Sequence, residues 1–129
     1  NSNQQFIYSL RRMLDPIKEH VDNNFNPLPE EYTKEFAPVR QKINDLMRMS
    51  CEQIETSRYE NYREILAEAD ACKDELSALR KKHIDRIQHL SDNSLMQISL
   101  VYLNVLQESQ EFLSVMRHQL RAAKKFMEK

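Results

Sequence analysis

Hydrophobic residues recur at spacings of three and four along most of the chain, the period of an amphipathic α-helix. In the first segment, from about residue 3 to residue 24, the recurring positions are Phe6, Leu10, Met13, Ile17 and Val21. Pro16 interrupts this segment, and it should either kink the helix or mark its start because it has no backbone N–H. The next stretch, 23–29, contains Asn-Pro and Pro-x-Pro and predicts a loop.

The same spacing predicts a second helix that begins near Pro29 or restarts at Pro38, since proline suits the first helical turn. Its apolar stripe comprises Phe36, Val39, Ile43, Leu46, Met47, Ser50 and Ile54. Ser57 is followed three residues later by Glu60, the pattern of a capping box at a helix start. A turn is therefore expected at residues 56–57.

The third and fourth helices have the most regular patterns. The third stripe comprises Tyr62, Ile65, Ala69, Cys72, Leu76, Leu79, His83, Ile87 and Leu90. Polar residues 91–94 predict a turn, and a fourth helix with two apolar rows runs from about Leu95 to the end. Short connections between long helices predict antiparallel neighbours. The expected fold is all-α: an up-down antiparallel helical bundle of three long helices plus a shorter or kinked N-terminal helix.

Composition narrows the possible functions. The 129 residues include no glycine, which excludes a P-loop, a G-x-G-x-x-G dinucleotide motif and a G-x-S-x-G nucleophile elbow. A net charge of −1 argues against a nucleic-acid partner. No stretch approaches the length of an apolar span, and no signal peptide is visible. Cys51 and Cys72 lie within helical patterns, away from any metal or redox motif, and are expected to be reduced thiols.

One acidic constellation suggests chemistry. Asp70 and Asp74 lie four residues apart, on one helix face. With a turn at 92–93, antiparallel pairing places Asp74 level with Glu111, and Asp70 level with residues 114–115. With Glu108, these residues form a candidate divalent-cation site, because hard cations prefer oxygen ligands. A solvated acidic face, or an arginine from the neighbouring helix, is the alternative.

The histidines and the basic residues carry weaker signals. No histidine follows an acidic residue by three positions, which excludes the Glu-x-x-His motifs of di-iron bundles. His83 lies on the third stripe and is expected to be a hydrogen-bonded residue at the core edge. The basic run 80–83 with Arg86 is either a solvated face or a contact for an anionic surface. No nucleophile stands out, so the chain is expected not to be an enzyme.

Residues 38–127 resemble PhoU-type domains. The resemblance rests on an Asp-x-x-x-Asp helix followed by a Leu-Arg-x-x-His-Ile-x-Arg-Ile run and a helix that opens Tyr-Leu-x-x-Leu-x-Glu. These residues are Asp70, Asp74, Leu79, Arg80, His83, Ile84, Arg86, Ile87, Tyr102, Leu103, Leu106 and Glu108. The run from Tyr102 through Phe126 is similar to the C-terminal cytosolic region of bacterial sodium/phosphate cotransporters. One departure is that Gln110 and Ser114 stand where the family carries its second acidic motif.

The resemblance implies a single domain over residues 1–129, with an N-terminal helix and loop at 1–28 and a PhoU-like three-helix unit at 29–129. It implies a regulatory domain that lies on the cytoplasmic side of the membrane and that has been excised from a larger membrane protein. Its partner would be the transporter portion of the same polypeptide or a phosphate-signalling protein, and a homodimer is possible. No cofactor is required, apart from a possible divalent cation. A helical scaffold or dimerisation module, or a small metal-binding bundle, stays open as an alternative.

Overall fold

Four helices account for the apolar spacing of the chain, and a computed structural model describes them over residues 1–128. They are α1 (Ser2–Phe25), α2 (Glu30–Thr56), α3 (Tyr62–Gln88) and α4 (Asn93–Met127). The described residues contain no strand. The predicted all-α class and the helix order are confirmed.

The first helix runs through its proline. Asn1 caps α1 by accepting a hydrogen bond from the backbone N–H of Gln4 at 2.9 Å, and the Gln4 side chain returns the capping contact. Pro16 lies inside the helix on its exposed side, so the prediction that it might mark the helix start is wrong. Leu10 and Leu14 are fully buried on the opposite side. The lost backbone hydrogen bond is tolerated because this buried face holds the helix in place.

The second helix begins at the earlier of its two predicted starts. Pro29 is the N-cap of α2, whereas Pro38 lies within the helix and is exposed. Glu30 and Glu31 occupy the first turn, where the positive end of the helix dipole favours acidic side chains. Leu28, in the preceding loop, is only 7% exposed and helps to close this end of the core.

The turn between α2 and α3 lies where it was predicted, but its chemistry differs. Ser57 has φ 55° and ψ 26°, the left-handed conformation that ends many helices, and it is the C-cap of α2. The N-cap of α3 is Asn61, four residues further on. The capping box predicted from Ser57 and Glu60 is therefore wrong. In a chain without glycine, a serine takes the left-handed position, and its hydroxyl accepts a hydrogen bond from Asn3 at 2.7 Å.

The last turn starts α4 two residues earlier than the apolar pattern suggested. Asp92 is the N-cap, and its carboxylate accepts a hydrogen bond from the backbone N–H of Ser94 at 2.9 Å. The polar residues predicted to form this turn thus include the N-cap of α4.

The helices form a four-helix bundle in which α4 packs against all three others. α2 also packs against α1 and α3, whereas α1 and α3, as far as they are described, do not touch. The N-terminal helix contributes Leu10, Leu14 and Val21 to the core, so the core is built from four helices. The fully buried side chains at its centre include Phe36, Ile54, Ile65, Leu76, Tyr102, Leu106, Leu113, Met116 and Leu120.

Candidate functional site

A cluster of polar and aromatic side chains joins three helices near the end of the bundle where α2 begins and α3 ends. α2 supplies Tyr32 and Glu35, α3 supplies His83 and Arg86, and α4 supplies Tyr102. Each pair on one helix is three residues apart, which places both members on the same face. We call these five residues the interhelix network.

The aromatic part of the network is closely stacked. The rings of Tyr32 and Tyr102 are nearly parallel, with centroids 4.6 Å apart and 5° between their planes. His83 meets both rings edge-on, at 4.8 and 4.7 Å. The guanidinium carbon of Arg86 lies 4.7 Å from the centre of the Tyr32 ring, within the range of a cation–π interaction. The rings therefore fill the core and also pack against the largely buried side chain of Arg86.

The carboxylate of Glu35 accepts four hydrogen bonds from three neighbouring side chains. Arg86 donates to both of its oxygens, with Nη2–Oε1 at 2.6 Å and Nη1–Oε2 at 3.2 Å. The Tyr102 hydroxyl donates to Oε1 at 2.8 Å, and Lys82 donates to Oε2 at 3.0 Å. The side chains of Glu35 and Arg86 are 13% and 19% exposed, so this ion pair is mostly withdrawn from water. Glu31 provides Arg86 with a second, exposed carboxylate at 3.1 Å.

Both ring nitrogens of His83 are engaged, which defines its protonation. Nε2 lies 2.7 Å from the backbone oxygen of Ser99, and Nδ1 lies 2.9 Å from Nη2 of Arg86. A guanidinium can only donate, so Nδ1 accepts and Nε2–H donates to the carbonyl. His83 is fully buried. The prediction of a hydrogen-bonded histidine at the core is confirmed.

The network holds its members in defined charge states. Burial lowers the pKa of His83, the charge of Arg86 lowers it further, and together they outweigh the hydrogen bond to Ser99. Burial alone would raise the pKa of Glu35, but the hydrogen bonds from Arg86, Lys82 and Tyr102 leave it below its usual value. Burial, followed by the hydrogen bond to Glu35, raises the pKa of Tyr102. At neutral pH the network therefore contains a neutral histidine, an ionised glutamate and a neutral tyrosine.

Of the residues predicted to bind a cation, Asp70 is paired with an arginine of the neighbouring helix. Asp70 faces Arg117 of α4, with Oδ1 and Nε 3.1 Å apart and Oδ2 and Nη2 3.2 Å apart. The neighbouring-helix arginine named as an alternative to a cation is thus Arg117, slightly beyond the predicted level of residues 114–115. Asp74 and Glu111 are exposed.

The fourth predicted ligand faces another helix. One carboxylate oxygen of Glu108 lies 2.6 Å from Nδ1 of His20 in α1. Within residues 1–128, no three His, Cys, Asp or Glu side chains are close enough together to hold a metal ion. The structure therefore does not bring Asp70, Asp74, Glu108 and Glu111 together, and the proposed cation stays a prediction that a binding measurement must test.

The basic run at the end of α3 is not a continuous charged patch. Arg86 and Lys82 are paired with Glu35, and His83 is buried in the network. Arg80 donates to the side-chain oxygen of Gln110 at 3.0 Å. The side-chain nitrogen of Gln110 in turn donates to Ser77 and to the Lys73 carbonyl, at 2.8 and 3.1 Å. Gln110 thus ties α4 to α3.

At the other end of the bundle, a groove of about 540 Å³ that is open to solvent lies between the start of α3 and the last turns of α4. We call it the C-terminal groove. Its lining residues are Tyr62, His118, Arg121, Ala122, Lys124, Lys125 and Glu128. The sequence patterns described above did not predict a groove here. The sequence did contain a signal for this groove, because residues 118, 121, 122 and 125 are three and four apart and therefore lie on one face of the helix.

Comparison with protein-family models, curated proteins and solved structures finds no match to this chain. Within residues 1–128, no helix combines the length and the apolar character needed to cross a bilayer.

Proposed function

We propose that this chain is a PhoU-like regulatory domain of a sodium-dependent inorganic phosphate cotransporter. The observation that supports this proposal is the position of the polar residues that belong to the PhoU-like motifs. His83, Arg86 and Tyr102, which come from both halves of the motif, meet in the interhelix network. Their meeting supports the interpretation of the two segments as one structural unit of the PhoU type.

The remaining polar motif residues support the same reading. Asp70 contacts Arg117, Arg80 contacts Gln110 and Glu108 contacts His20, so each joins its own helix to a neighbour. Regulation of a transporter by docking requires that the conformation at one end of the domain be coupled to the other end, and packed helices with paired side chains are the kind of structure that can carry such coupling.

A docking surface for such regulation is available at the tip of the α3–α4 hairpin. Leu95, Ile98 and Leu100 are 44%, 37% and 47% exposed, and Ile84 on α3 is 40% exposed. Leu95 and Ile98 lie on one face of α4, three residues apart. The occupant we propose is the membrane-embedded part of the same polypeptide, and contact in only one of its conformations would bias transport.

The first test is the reading frame upstream of Asn1. It should encode several apolar spans, each long enough to cross a bilayer. A frame that encodes none refutes the proposal.

The second test measures sodium-dependent uptake of labelled phosphate in cells that carry the full polypeptide. Removing residues 1–129 should preserve uptake and abolish its adjustment to phosphate supply. The double variant Leu95→Gln/Ile98→Gln should have the same effect, because it changes only the tip. Lys81→Gln, an exposed charge on α3, is the matched control. If regulation is unaffected by the deletion at equal membrane abundance, the chain has no regulatory role.

A helical dimerisation module is the alternative function, since the exposed apolar tip is also what an isologous interface requires. Sedimentation equilibrium of the isolated chain separates the two. A stable dimer lost in Leu95→Gln/Ile98→Gln favours the module, whereas a monomer at all concentrations favours docking on the transporter.

A further inference from the structure

The C-terminal groove is open to solvent and has an excess of basic side chains. Three of its lining residues, Arg121, Lys124 and Lys125, are cations at neutral pH, and one, Glu128, is an anion. Glu128 pairs with Lys124, which also lies 5.0 Å from the centre of the Tyr62 ring. This leaves Arg121 and Lys125 without a carboxylate partner within residues 1–128.

The helix dipole accounts for only part of this charge. Lys124 and Lys125 lie in the last turn of α4, where cations balance the partial negative charge of the carbonyls. Arg121 and His118 lie one and two turns earlier, where that effect has faded, yet they line the same groove. Their common orientation follows from the spacing of three and four residues, which places 118, 121, 122 and 125 on one face.

The opposite wall of the groove is contributed by Tyr62, the first residue of α3. Its backbone N–H donates to the carbonyl of Tyr59 at 3.2 Å, so this wall offers the Tyr62 side chain and not a free helix-start donor. Glu64, the acidic residue of the first turn of α3, is not among the lining residues of the groove.

We propose that the C-terminal groove binds a phosphate monoester, with Arg121 as the principal contact and Lys125 and His118 beside it. The planar fork of a guanidinium matches two oxygens of a phosphate group, and an ammonium group adds a point charge. The groove, at about 540 Å³, is larger than a bare phosphate needs. The surplus, walled by Ala122 and the Tyr62 ring, suits the organic part of the ester. This proposal does not rest on the transporter assignment.

The phosphate monoester has two possible sources, a soluble metabolite or a lipid headgroup, and the experiment uses a probe for each. The isolated chain, labelled with ¹⁵N, is titrated with inorganic phosphate and with glycerol 3-phosphate. A parallel sedimentation assay uses phosphatidylcholine vesicles with and without phosphatidic acid. Chemical-shift changes should be confined to the end of α4 and the start of α3, and glycerol 3-phosphate should bind more tightly than inorganic phosphate. Selective sedimentation with phosphatidic acid would identify the lipid as the source.

Variants of single charges decide whether the groove is the site. Arg121→Gln should weaken binding roughly tenfold or more, because it removes a charge-assisted bidentate contact. Arg121 is exposed, so this variant should unfold at nearly the same temperature as the parent. Lys81→Gln removes an exposed charge from the far end of α3 and should leave binding unchanged. Failure of every probe to bind, or binding that is equally weakened by both variants, overturns the proposal.

Discussion

Replacing Glu35 by glutamine tests whether the interhelix network stabilises the bundle. The substitution keeps the size of the side chain and removes its charge. The carboxylate now accepts from Arg86 twice, from Tyr102 and from Lys82. A glutamine has one acceptor oxygen, and its NH₂ group would face donors that it cannot satisfy. Arg86 would remain seated against the Tyr32 ring with only the exposed Glu31 as a counterion.

The expected loss of unfolding free energy follows from the burial of this pair. Removing one partner of a fully buried ion pair costs about 3–5 kcal/mol. Here the side chains of Glu35 and Arg86 are still 13% and 19% exposed, and Glu31 would balance part of the charge of Arg86. We therefore expect a loss of about 2–3 kcal/mol, which for a domain of this size lowers the unfolding temperature by about 10 °C.

Thermal and urea unfolding followed by circular dichroism measure this loss, and Glu52→Gln is the matched control. Glu52 pairs with Arg48 at 3.4 Å on the same helix, but both side chains are 61% exposed. The control should lose less than about 0.5 kcal/mol. Equal losses in the two variants would show that burial of the network contributes nothing, and would refute this account.

The pH dependence of the same variant provides an independent check. The pKa of Glu35 is lower in the folded protein than its usual value of 4.5. The unfolded chain therefore binds the proton first as the solution is acidified, so the stabilisation is complete above pH 4.5 and is lost as the pH falls through the folded-state pKa. The stability difference between the parent and Glu35→Gln should narrow below pH 4.5. A difference that is constant down to pH 2 contradicts the charge argument.

Three further predictions follow from burial. Because burial lowers the pKa of His83, the unfolded chain takes up a proton first below the usual value of 6.5, and stability should fall as the pH drops from there towards the folded-state pKa. His83→Gln should lack this part of the slope in urea unfolding, whereas the exposed His118→Gln should keep it; the same slope in both would contradict the assignment. Burial raises the pKa of Cys72 to about 11, so a thiol reagent at neutral pH should modify the half-buried Cys51 first and Cys72 only on unfolding. Mass spectrometry of the labelled protein checks this, and equal rates would count against it. Leu106→Ala should cost about 2–5 kcal/mol in urea unfolding because the side chain is fully buried, and a loss below about 1 kcal/mol would mean that the core collapses around the cavity.

The helices were predictable because their signals are local. Apolar residues three and four apart mark α1, α3 and α4 within a few residues of their bounds, and the polar residues 91–94 mark the cap of α4. Ser57 was misassigned because a serine suits both an N-cap and, in the absence of glycine, a left-handed C-cap. Only the position of the next helix start, at Tyr62, distinguishes the two.

The interhelix network was only partly predictable, since it depends on a contact that no local pattern encodes. His83 and Tyr102 lie on recognisable apolar stripes, and a hairpin with a short turn necessarily brings their helices together. Glu35 reaches Tyr102 from α2, across the diagonal of the bundle, and its level relative to α4 depends on how the helices are rotated and shifted. Helical spacing leaves that rotation open because several neighbouring faces of α4 are apolar.

The same freedom explains why the acidic pair was ambiguous. A carboxylate on α3 is neutralised equally well by a bound cation or by an arginine, and the choice depends on which face of α4 lies opposite. A rotation of α4 by one residue, about 100°, would turn Arg117 away and place Met116 or His118 opposite Asp70. Since Asp70 is 54% exposed, its pair with Arg117 contributes less than about 1 kcal/mol and cannot hold α4 in that rotation. The buried residues along α4 do so, among them Tyr102 with its contacts to Glu35 and His83, and the partner of Asp70 is therefore a consequence of how the core fixes α4.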